Sequence, residues 1–149
     1  RHFGQTFRDL FGGGAAELSL SDPSDVLESG IDMRVQPPGK VINHLSALSG
    51  GEQALTAIAL YFAILQVRPS PFVILDEIDT ALDEVNVARL ASYYKRFTQK
   101  TQLILITHRR GAMEVADILY GITMQERGVS KLLKIDVNDV ERQINLRAT

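Results

Sequence analysis

The stretch that decides the fold of this chain is Phe72-Val73-Ile74-Leu75-Asp76-Glu77, four apolar residues followed by two carboxylates. A second apolar run, Leu103 to Ile106, follows an amphipathic pattern that begins at Glu84 and continues to about Gln99. Two short apolar runs separated by a helix are typical of a βαβ unit, whose strands are parallel. We therefore predict an α/β fold with a largely parallel sheet, flanked by helices and covered on both faces.

A second informative stretch is Leu48-Ser49-Gly50-Gly51-Glu52-Gln53. It opens a helix that we expect to run from Ser49 to about Val67 and, being apolar nearly all round, to be buried on more than one side. The free N–H groups of a helix start attract anions, and glycines let a ligand approach the backbone. Ser49 with Glu52 is also a capping box, but capping gives no reason for two glycines that each cost about 1 kcal/mol relative to alanine. The pattern favours a phosphate-binding helix start formed by Ser49, Gly50 and Gly51.

Five carboxylates lie within nine residues after the first predicted strand: Asp76, Glu77, Asp79, Asp83 and Glu84. Open α/β folds bind ligands at the carboxyl ends of their strands, so Asp76 is a candidate ligand for Mg²⁺ and Glu77 a candidate base that polarises a water. A solvated acidic loop, with Asp83 capping the next helix, fits an isolated Asp-Glu pair equally well. On these residues alone, both interpretations stay open.

His108 follows the second predicted strand in the run Ile106-Thr107-His108-Arg109-Arg110. A lone histidine after a strand is more often a surface residue than a catalytic one. However, parallel strands end at the same edge of a sheet, so we expect His108 to reach the edge that carries Asp76 and Glu77. There it can contact a phosphate or position a water.

The remaining elements are predicted from periodicity and from glycine and proline breaks. Phe3, Phe7, Leu10 and Phe11 have helical spacing, and we expect them to end a longer helix that precedes Arg1 and stops at Gly12-Gly13-Gly14. The other predicted elements are strands at 15–20 and 31–36, a short helix at 111–116, strands at 118–124 and 131–135, and a polar tail after about 137.

A phosphate loop with its lysine is missing from the 149 residues. Gly39-Lys40 resembles the end of such a loop, but Arg34 stands where the first glycine belongs and Val41 where Ser or Thr must meet the metal. The chain therefore carries half of a nucleotide-hydrolysing site.

Composition sets broad limits on the class of protein. A chain of 149 residues with 45% apolar content suits one domain, which we place at 1–149. The net charge of −2 indicates no global basic field for nucleic acid, and the lack of cysteine excludes disulfides and thiolate metal sites. No apolar run approaches the roughly 20 residues of a membrane span, so we expect a cytoplasmic protein without membrane contact.

Together these motifs resemble the ATPase head of the ABC superfamily. The segment 48–52 is similar to its signature motif, 72–77 to its Walker B strand, Ile78-Asp79-Thr80-Ala81-Leu82-Asp83 to its D-loop and His108 to its switch histidine. Further runs resemble the C-terminal half of the head of bacterial SMC chromosome-partition proteins: 11–14, 36–40, 45–52, 54–60, 68–72 and 120–126. The resemblance implies the C-terminal lobe of a P-loop NTPase head, with 1–11 as the end of a coiled-coil helix. Gln53, in place of lysine, and Thr80, in place of alanine, depart from the family pattern without changing these roles.

The resemblance also implies a mechanism in which two heads sandwich two ATP molecules for chromosome condensation and segregation. Ser49, Gly50, Gly51, Glu52, Gln53 and the D-loop residues Asp79, Leu82 and Asp83 would face nucleotide, with Asp76 on Mg²⁺ and Glu77 and His108 catalytic. The implied partners are the N-terminal half of the head with its Walker A motif, a second head, a kleisin subunit, and DNA through the full, nucleoid-associated complex. The alternatives are the head of a DNA-repair or transporter ATPase, or a non-catalytic kleisin-docking module. Loss of Glu77 or Ser49 would favour the docking module, and both are present.

Overall fold

The computed structural model describes residues 1–40 and 45–137. Its helices are α1 His2–Phe11, α2 Gly50–Val67, α3 Glu84–Phe97 and α4 Arg110–Met113, with a 3₁₀ turn at Leu45–Ala47. Its strands are β1 Ala15–Leu20, β2 Ile31–Gln36, β3 Phe72–Asp76, β4 Gln102–Ile106, β5 Ile118–Glu126 and β6 Val129–Asp136. Each predicted helix and strand is confirmed, with ends that shift by up to three residues. The predicted tail falls almost wholly on 138–149, outside the described residues.

The strands pair as three separate two-stranded sheets. β3 and β4 are parallel, with Phe72 opposite Gln102 and Asp76 opposite Ile106, which confirms the βαβ unit. β1 pairs with β2 and β5 with β6 in antiparallel register. The expectation of a largely parallel sheet is therefore wrong for the described residues. The reason is connection length: the two-residue link between β5 and β6 can only reverse the chain, whereas a parallel pair needs a crossover.

The core lies where α1 packs across α2, with α3 against both. Phe7 and Leu10 of α1 and Leu55 and Phe62 of α2 are completely buried. The ring of Phe62 meets the rings of three α3 residues, Tyr93, Tyr94 and Phe97, at 4.8 to 6.0 Å between centroids. These ring contacts, two edge-on and one tilted, hold α3 against α2.

Glycine ends α1 as expected. Gly12 adopts the left-handed conformation, with φ of 73°, and its N–H and that of Gly13 both donate to the Arg8 carbonyl. This arrangement satisfies a carbonyl that the helix end would otherwise leave unpaired. The chain can then turn directly into β1.

Burial on both faces of the parallel pair is the second expectation that the structure corrects. Val73 and Leu75 of β3 are buried, whereas Phe72 and Ile74 are 53% and 56% exposed. On β4, Ile104 and Ile106 are likewise exposed, at 42% and 51%. The described residues supply a helical layer on one side of this sheet and none on the other.

Helix α2 is also exposed along one side, contrary to expectation. Its residues Tyr61, Ile64 and Val67 are exposed, while Leu55, Ile58 and Phe62 face the core. A helix that is apolar all round can bury every face. How many faces are buried depends on the elements that pack against it. Although α2 is long and apolar, no helix among the described residues combines the length and apolar character needed to cross a membrane.

Two adjacent aromatic residues of α2 test this picture of the core. We expect Phe62→Ala to lower the free energy of unfolding by ~3–5 kcal/mol, because it removes a fully buried ring that three rings of α3 contact. Its neighbour Tyr61 is 41% exposed, so Tyr61→Ala should cost less than about 1 kcal/mol. Chemical denaturation followed by circular dichroism measures both values. Equal losses for the two variants would contradict the packing described.

Candidate functional site

The carboxyl edge of the β3–β4 pair is organised around Glu77. Its N–H donates to the Ile106 carbonyl at 2.8 Å, which continues the parallel ladder one residue beyond Asp76. Its own carbonyl accepts from the N–H and the hydroxyl of Thr80, at 3.3 and 3.0 Å. Glu77 is the only non-glycine residue with positive φ in the part of the chain described, at 49°. Such a conformation is uncommon outside glycine and is typical of functional sites.

His108 reaches the same edge, as expected from the parallel strands. Its Nδ1 lies 4.0 Å from Glu77 Oε1, and both side chains are more than half exposed. That separation is too long for a direct hydrogen bond, but one water or one phosphate oxygen can bridge it. Glu77 and His108 therefore border one solvent-accessible position at the sheet edge.

Asp76 is the candidate metal ligand at this edge, and its side chain is exposed. No group of three or more His, Cys, Asp or Glu side chains among the described residues is placed to hold a metal. Mg²⁺ is commonly held by one or two carboxylates together with substrate phosphates and water. One exposed carboxylate beside a phosphate position fits that donor set, whereas it does not fit a metal caged by protein alone.

Asp79 lies inside the protein. Its side chain is buried, and Oδ2 accepts from the hydroxyl of Thr107 at 2.8 Å, which itself accepts from the Arg109 N–H at 2.9 Å. Its other oxygen, Oδ1, is buried without a hydrogen-bond partner among the described residues. Burial, together with the charge of Asp79, raises the pKa of Tyr94 above its ordinary value. Asp79 thus ties the segment after β3 to the residue that precedes His108.

Arg109 holds the other end of the same segment. Its guanidinium donates to the Leu82 carbonyl at 2.8 Å and pairs with Glu84 at 3.2 Å. The Leu82 side chain is buried, and Asp83 caps α3 by accepting from the Asn86 N–H at 2.8 Å. The cap was readable from the sequence. The Arg109 and Thr107 contacts were not, because they join residues 27 and 28 positions apart.

The start of α2 forms the predicted capping box. Ser49 is the N-cap; its N–H and its hydroxyl both donate to Glu52 Oε2 at 2.9 Å, and its oxygen accepts from the Glu52 N–H at 3.4 Å. A contact that the sequence did not predict completes the group, since Lys40 Nζ donates to Glu52 Oε1 at 2.7 Å. Lys40 and then the Ser49 N–H hold the pKa of Glu52 below its usual range.

Gly50 and Gly51 leave room at the same helix start. Their N–H groups belong to the first turn and have no carbonyl behind them in the helix. A Cβ on Gly50 would meet nothing within 4 Å, whereas one on Gly51 would lie 3.4 Å from the Ala81 carbonyl oxygen. Gln53 turns back, donating to the Leu48 carbonyl at 3.1 Å. An exposed pair of backbone donors and a hydroxyl therefore accompany the cap, so the two interpretations of this stretch coexist.

The structure places the predicted site residues in two separate groups. Asp76, Glu77 and His108 share the sheet edge. Within the described part of the chain, no hydrogen bond or ion pair joins them to the α2 start. The segment 78–83 lies between the groups and touches the α2 start at Ala81 and Gly51.

Known proteins of one family match this chain. The family model described as RecF/RecN/SMC N terminal domain matches residues 21–131. The chain belongs to the RecF/RecN/SMC family. It is 59% identical over 140 residues to the chromosome partition protein Smc of Bacillus subtilis, which covers 94% of this chain and 12% of that protein. The chain therefore spans about an eighth of the length of this SMC relative.

Solved structures of SMC heads share its fold. An Smc head with an extended coiled coil from Pyrococcus furiosus, bound to the C-terminal domain of ScpA, matches with a TM-score of 0.90 and 38% identity, covering 100% of this chain and 37% of that one. A chain from a study of ATP-driven dimerization and DNA-stimulated activation of SMC ATPases matches with a TM-score of 0.84 and 36% identity, covering 100% of this chain and 90% of that one. The second of these structures is described as one of SMC ATPases, and the Bacillus subtilis relative is a chromosome partition protein.

The lowered pKa of Glu52 leads to a pH-dependent prediction. A carboxylate with a lowered pKa in the folded state adds stability above its ordinary pKa of 4.5, and this stability is lost as the pH falls through the lowered pKa of the folded state. Below pH 4.5, acid should therefore lower the melting temperature of the unaltered chain more than that of Glu52→Gln, which keeps the capping box without a titrating group. Thermal unfolding across this range measures the difference.

Glu17→Gln is the matched control, because Glu17 is an exposed carboxylate on β1, away from the α2 start. Its acid profile should follow that of the unaltered chain. Parallel profiles for Glu52→Gln and the unaltered chain would contradict the described contacts of Glu52.

Proposed function

We propose that this chain is the C-terminal half of the ATPase head of a bacterial SMC chromosome-partition protein. In this proposal residues 1–149 form one domain, α1 is the end of a coiled-coil helix, and the lobe supplies the signature motif, Walker B strand, D-loop and switch histidine. The observation that carries the proposal is the presence of two separate partial sites, Ser49 to Gly51 and Asp76 to His108, in a chain whose sequence has no phosphate loop. Each partial site needs a nucleotide held by a phosphate loop that lies outside these 149 residues.

An exposed apolar face on the parallel strand pair supports the N-terminal half of the head as the missing partner. Phe72, Ile74, Ile104 and Ile106 expose one face of the parallel pair to solvent. Parallel sheets occur almost only with both faces covered.

Ser49, Gly50 and Gly51 take the γ-phosphate of ATP bound by the opposite head in this mechanism. Two unpaired N–H groups at a helix start and one hydroxyl suit a phosphate oxygen. Glu52 and Gln53 shape the turn through their bonds to Ser49 and Leu48. To donate to phosphate, the Ser49 hydroxyl must leave Glu52, while the Ser49 N–H can keep the cap in place.

Asp76, Glu77 and His108 serve the ATP of their own head. Asp76 is the residue that would hold Mg²⁺, which neutralises charge on the phosphates when it is bound. Glu77 accepts the proton of the attacking water, and His108 orients that water or the terminal phosphate across the 4.0 Å gap. The buried Asp79 and Leu82 and the capping residue Asp83 hold the D-loop, so its backbone rather than the side chains of Asp79 and Leu82 faces the nucleotide boundary.

The remaining partners follow from the relatives. The matched Pyrococcus head is bound to the C-terminal domain of ScpA, so we propose that the head containing this chain also docks a kleisin. The second matched structure belongs to SMC ATPases with ATP-driven dimerization and DNA-stimulated activation, which supports a second head and DNA as partners of the full complex. The complete protein would act on the nucleoid.

ATP turnover by a reconstituted head tests the proposal. We expect no turnover from this chain alone and measurable turnover from its mixture with the N-terminal half of the same head. Glu77→Gln should reduce kcat by at least ~100-fold, because the amide cannot take the proton of water, while ATP-driven head pairing persists. Released phosphate and analytical ultracentrifugation measure the two properties. Hydrolysis by Glu77→Gln at the unaltered rate would remove Glu77 from the mechanism, and pairing without turnover in every mixture would indicate a docking module.

A substitution at Ser49 tests which nucleotide the α2 start contacts. Ser49→Arg places a bulky side chain over the phosphate position, so we expect loss of ATP-dependent pairing with ATP binding to a single head unchanged. Equilibrium nucleotide binding and sedimentation separate the two effects. Ser46→Arg, in the exposed 3₁₀ turn just before, is the control and should leave both unchanged. If Ser49→Arg abolished binding to a single head, Ser49 would act within its own head.

A further inference from the structure

Lys40 makes a contact that the proposed mechanism does not use. It ends the turn Pro37-Pro38-Gly39-Lys40, in which its N–H donates to the Pro37 carbonyl at 3.3 Å and Gly39 has a φ of 75°. Proline at the second position and a left-handed glycine at the third are typical of a type II turn. This turn places the Lys40 side chain against the start of α2.

The carboxylate of Glu52 is the target of Lys40. Lys40 Nζ lies 2.7 Å from Oε1, while the Ser49 N–H and hydroxyl take Oε2. The Glu52 side chain is only 16% exposed, whereas that of Lys40 is 53% exposed. The poorly solvated carboxylate of Glu52 therefore accepts three hydrogen bonds. One comes from the Lys40 ammonium, which also neutralises its charge, and two come from Ser49.

The location of this carboxylate creates an electrostatic problem for the proposed function. Glu52 Oε2 lies 2.9 Å from the Ser49 hydroxyl, the group assigned to the γ-phosphate of the opposite head. A phosphate oxygen on Ser49 would therefore come within a few ångströms of a second negative group, and like charges repel strongly where water is displaced. Lys40 carries the positive charge nearest to Glu52.

We propose that Lys40 is a positioning residue for ATP-dependent head pairing, which neutralises Glu52 so that the α2 start can accept the phosphate of the opposite head. Lys40 acts through Glu52 and does not itself contact nucleotide. This inference rests on the proposed function. It assigns a role to a lysine that stands outside both motifs and that resembles a phosphate-loop lysine in sequence only.

A double-mutant cycle on the reconstituted head tests the inference. Lys40→Met and Glu52→Gln are made singly and together in the Glu77→Gln background, so that hydrolysis does not disturb pairing. We expect Lys40→Met to weaken ATP-dependent pairing about tenfold, and Lys40→Arg to stay within about twofold of the unaltered head. With Glu52→Gln present, Lys40→Met should change pairing by less than about twofold, because no carboxylate remains to be neutralised. Sedimentation measures pairing, and single-head ATP binding confirms that the variants are folded; Lys40→Gln replaces Lys40→Met if the latter fails to fold.

Each other outcome has a defined meaning. If Lys40→Met weakened pairing equally with and without the Glu52→Gln substitution, Lys40 would contact nucleotide directly and the inference would be overturned. Unchanged pairing in Lys40→Met would also overturn it, while leaving the proposed function intact. If the unaltered head failed to pair with ATP, the proposed function would fail and the inference with it.

Discussion

One main-chain hydrogen bond, from the Glu77 N–H to the Ile106 carbonyl, determines the geometry of the sheet edge. It carries the parallel ladder one residue past the last strand pair and fixes Glu77 in a left-handed conformation. Because Ile106 is two residues before His108, the same bond sets the distance between the two side chains that border the solvent-accessible position. The strain of the positive φ is offset by this bond and by the two that Thr80 donates to the Glu77 carbonyl. Glu77, the proposed base, is thus positioned by its backbone, and its carboxylate makes none of these bonds.

The order and type of the elements were predictable, since each depends on local signals. Apolar runs at 72–75 and 103–106, the glycines after Phe11 and the proline break near Pro69 all act within a few residues of where they stand. Burial was less predictable, as Ile74 and Ile104 show: their apolar character is that of a covered strand, yet they are exposed. Periodicity states which surfaces require a cover. It does not state which part of the protein packs against those surfaces. The antiparallel pairing of β5 with β6 likewise depends on the length of the turn between them rather than on the apolar pattern.

Within the candidate site, too, contacts between residues near in sequence were predictable and contacts between distant residues were not. The capping box of Ser49 and Glu52 and the cap at Asp83 could be predicted, because an N-cap bonds to a residue two or three positions ahead. The contact of Lys40 with Glu52, and those of Arg109 with Leu82 and Thr107 with Asp79, join residues 12, 27 and 28 positions apart. Such contacts exist only after the chain has folded. They also decide which charges at the site are neutralised, so the sequence motifs identify the reacting groups while the fold sets their electrostatics.

The D-loop segment shows why the two partial sites of the proposed function cannot vary independently. It follows Glu77, passes Gly51, where a Cβ would lie 3.4 Å from the Ala81 carbonyl oxygen, and ends at the cap of α3. Asp79 holds its middle to Thr107, and Arg109 holds its end at Leu82. With both contacts made, the backbone between Glu77 and Asp83 has little freedom to shift. In the proposed mechanism, a phosphate bound at Gly50 and Gly51 would lie beside a segment anchored to Glu77, the proposed base, so this segment would link the two nucleotide positions of a head pair.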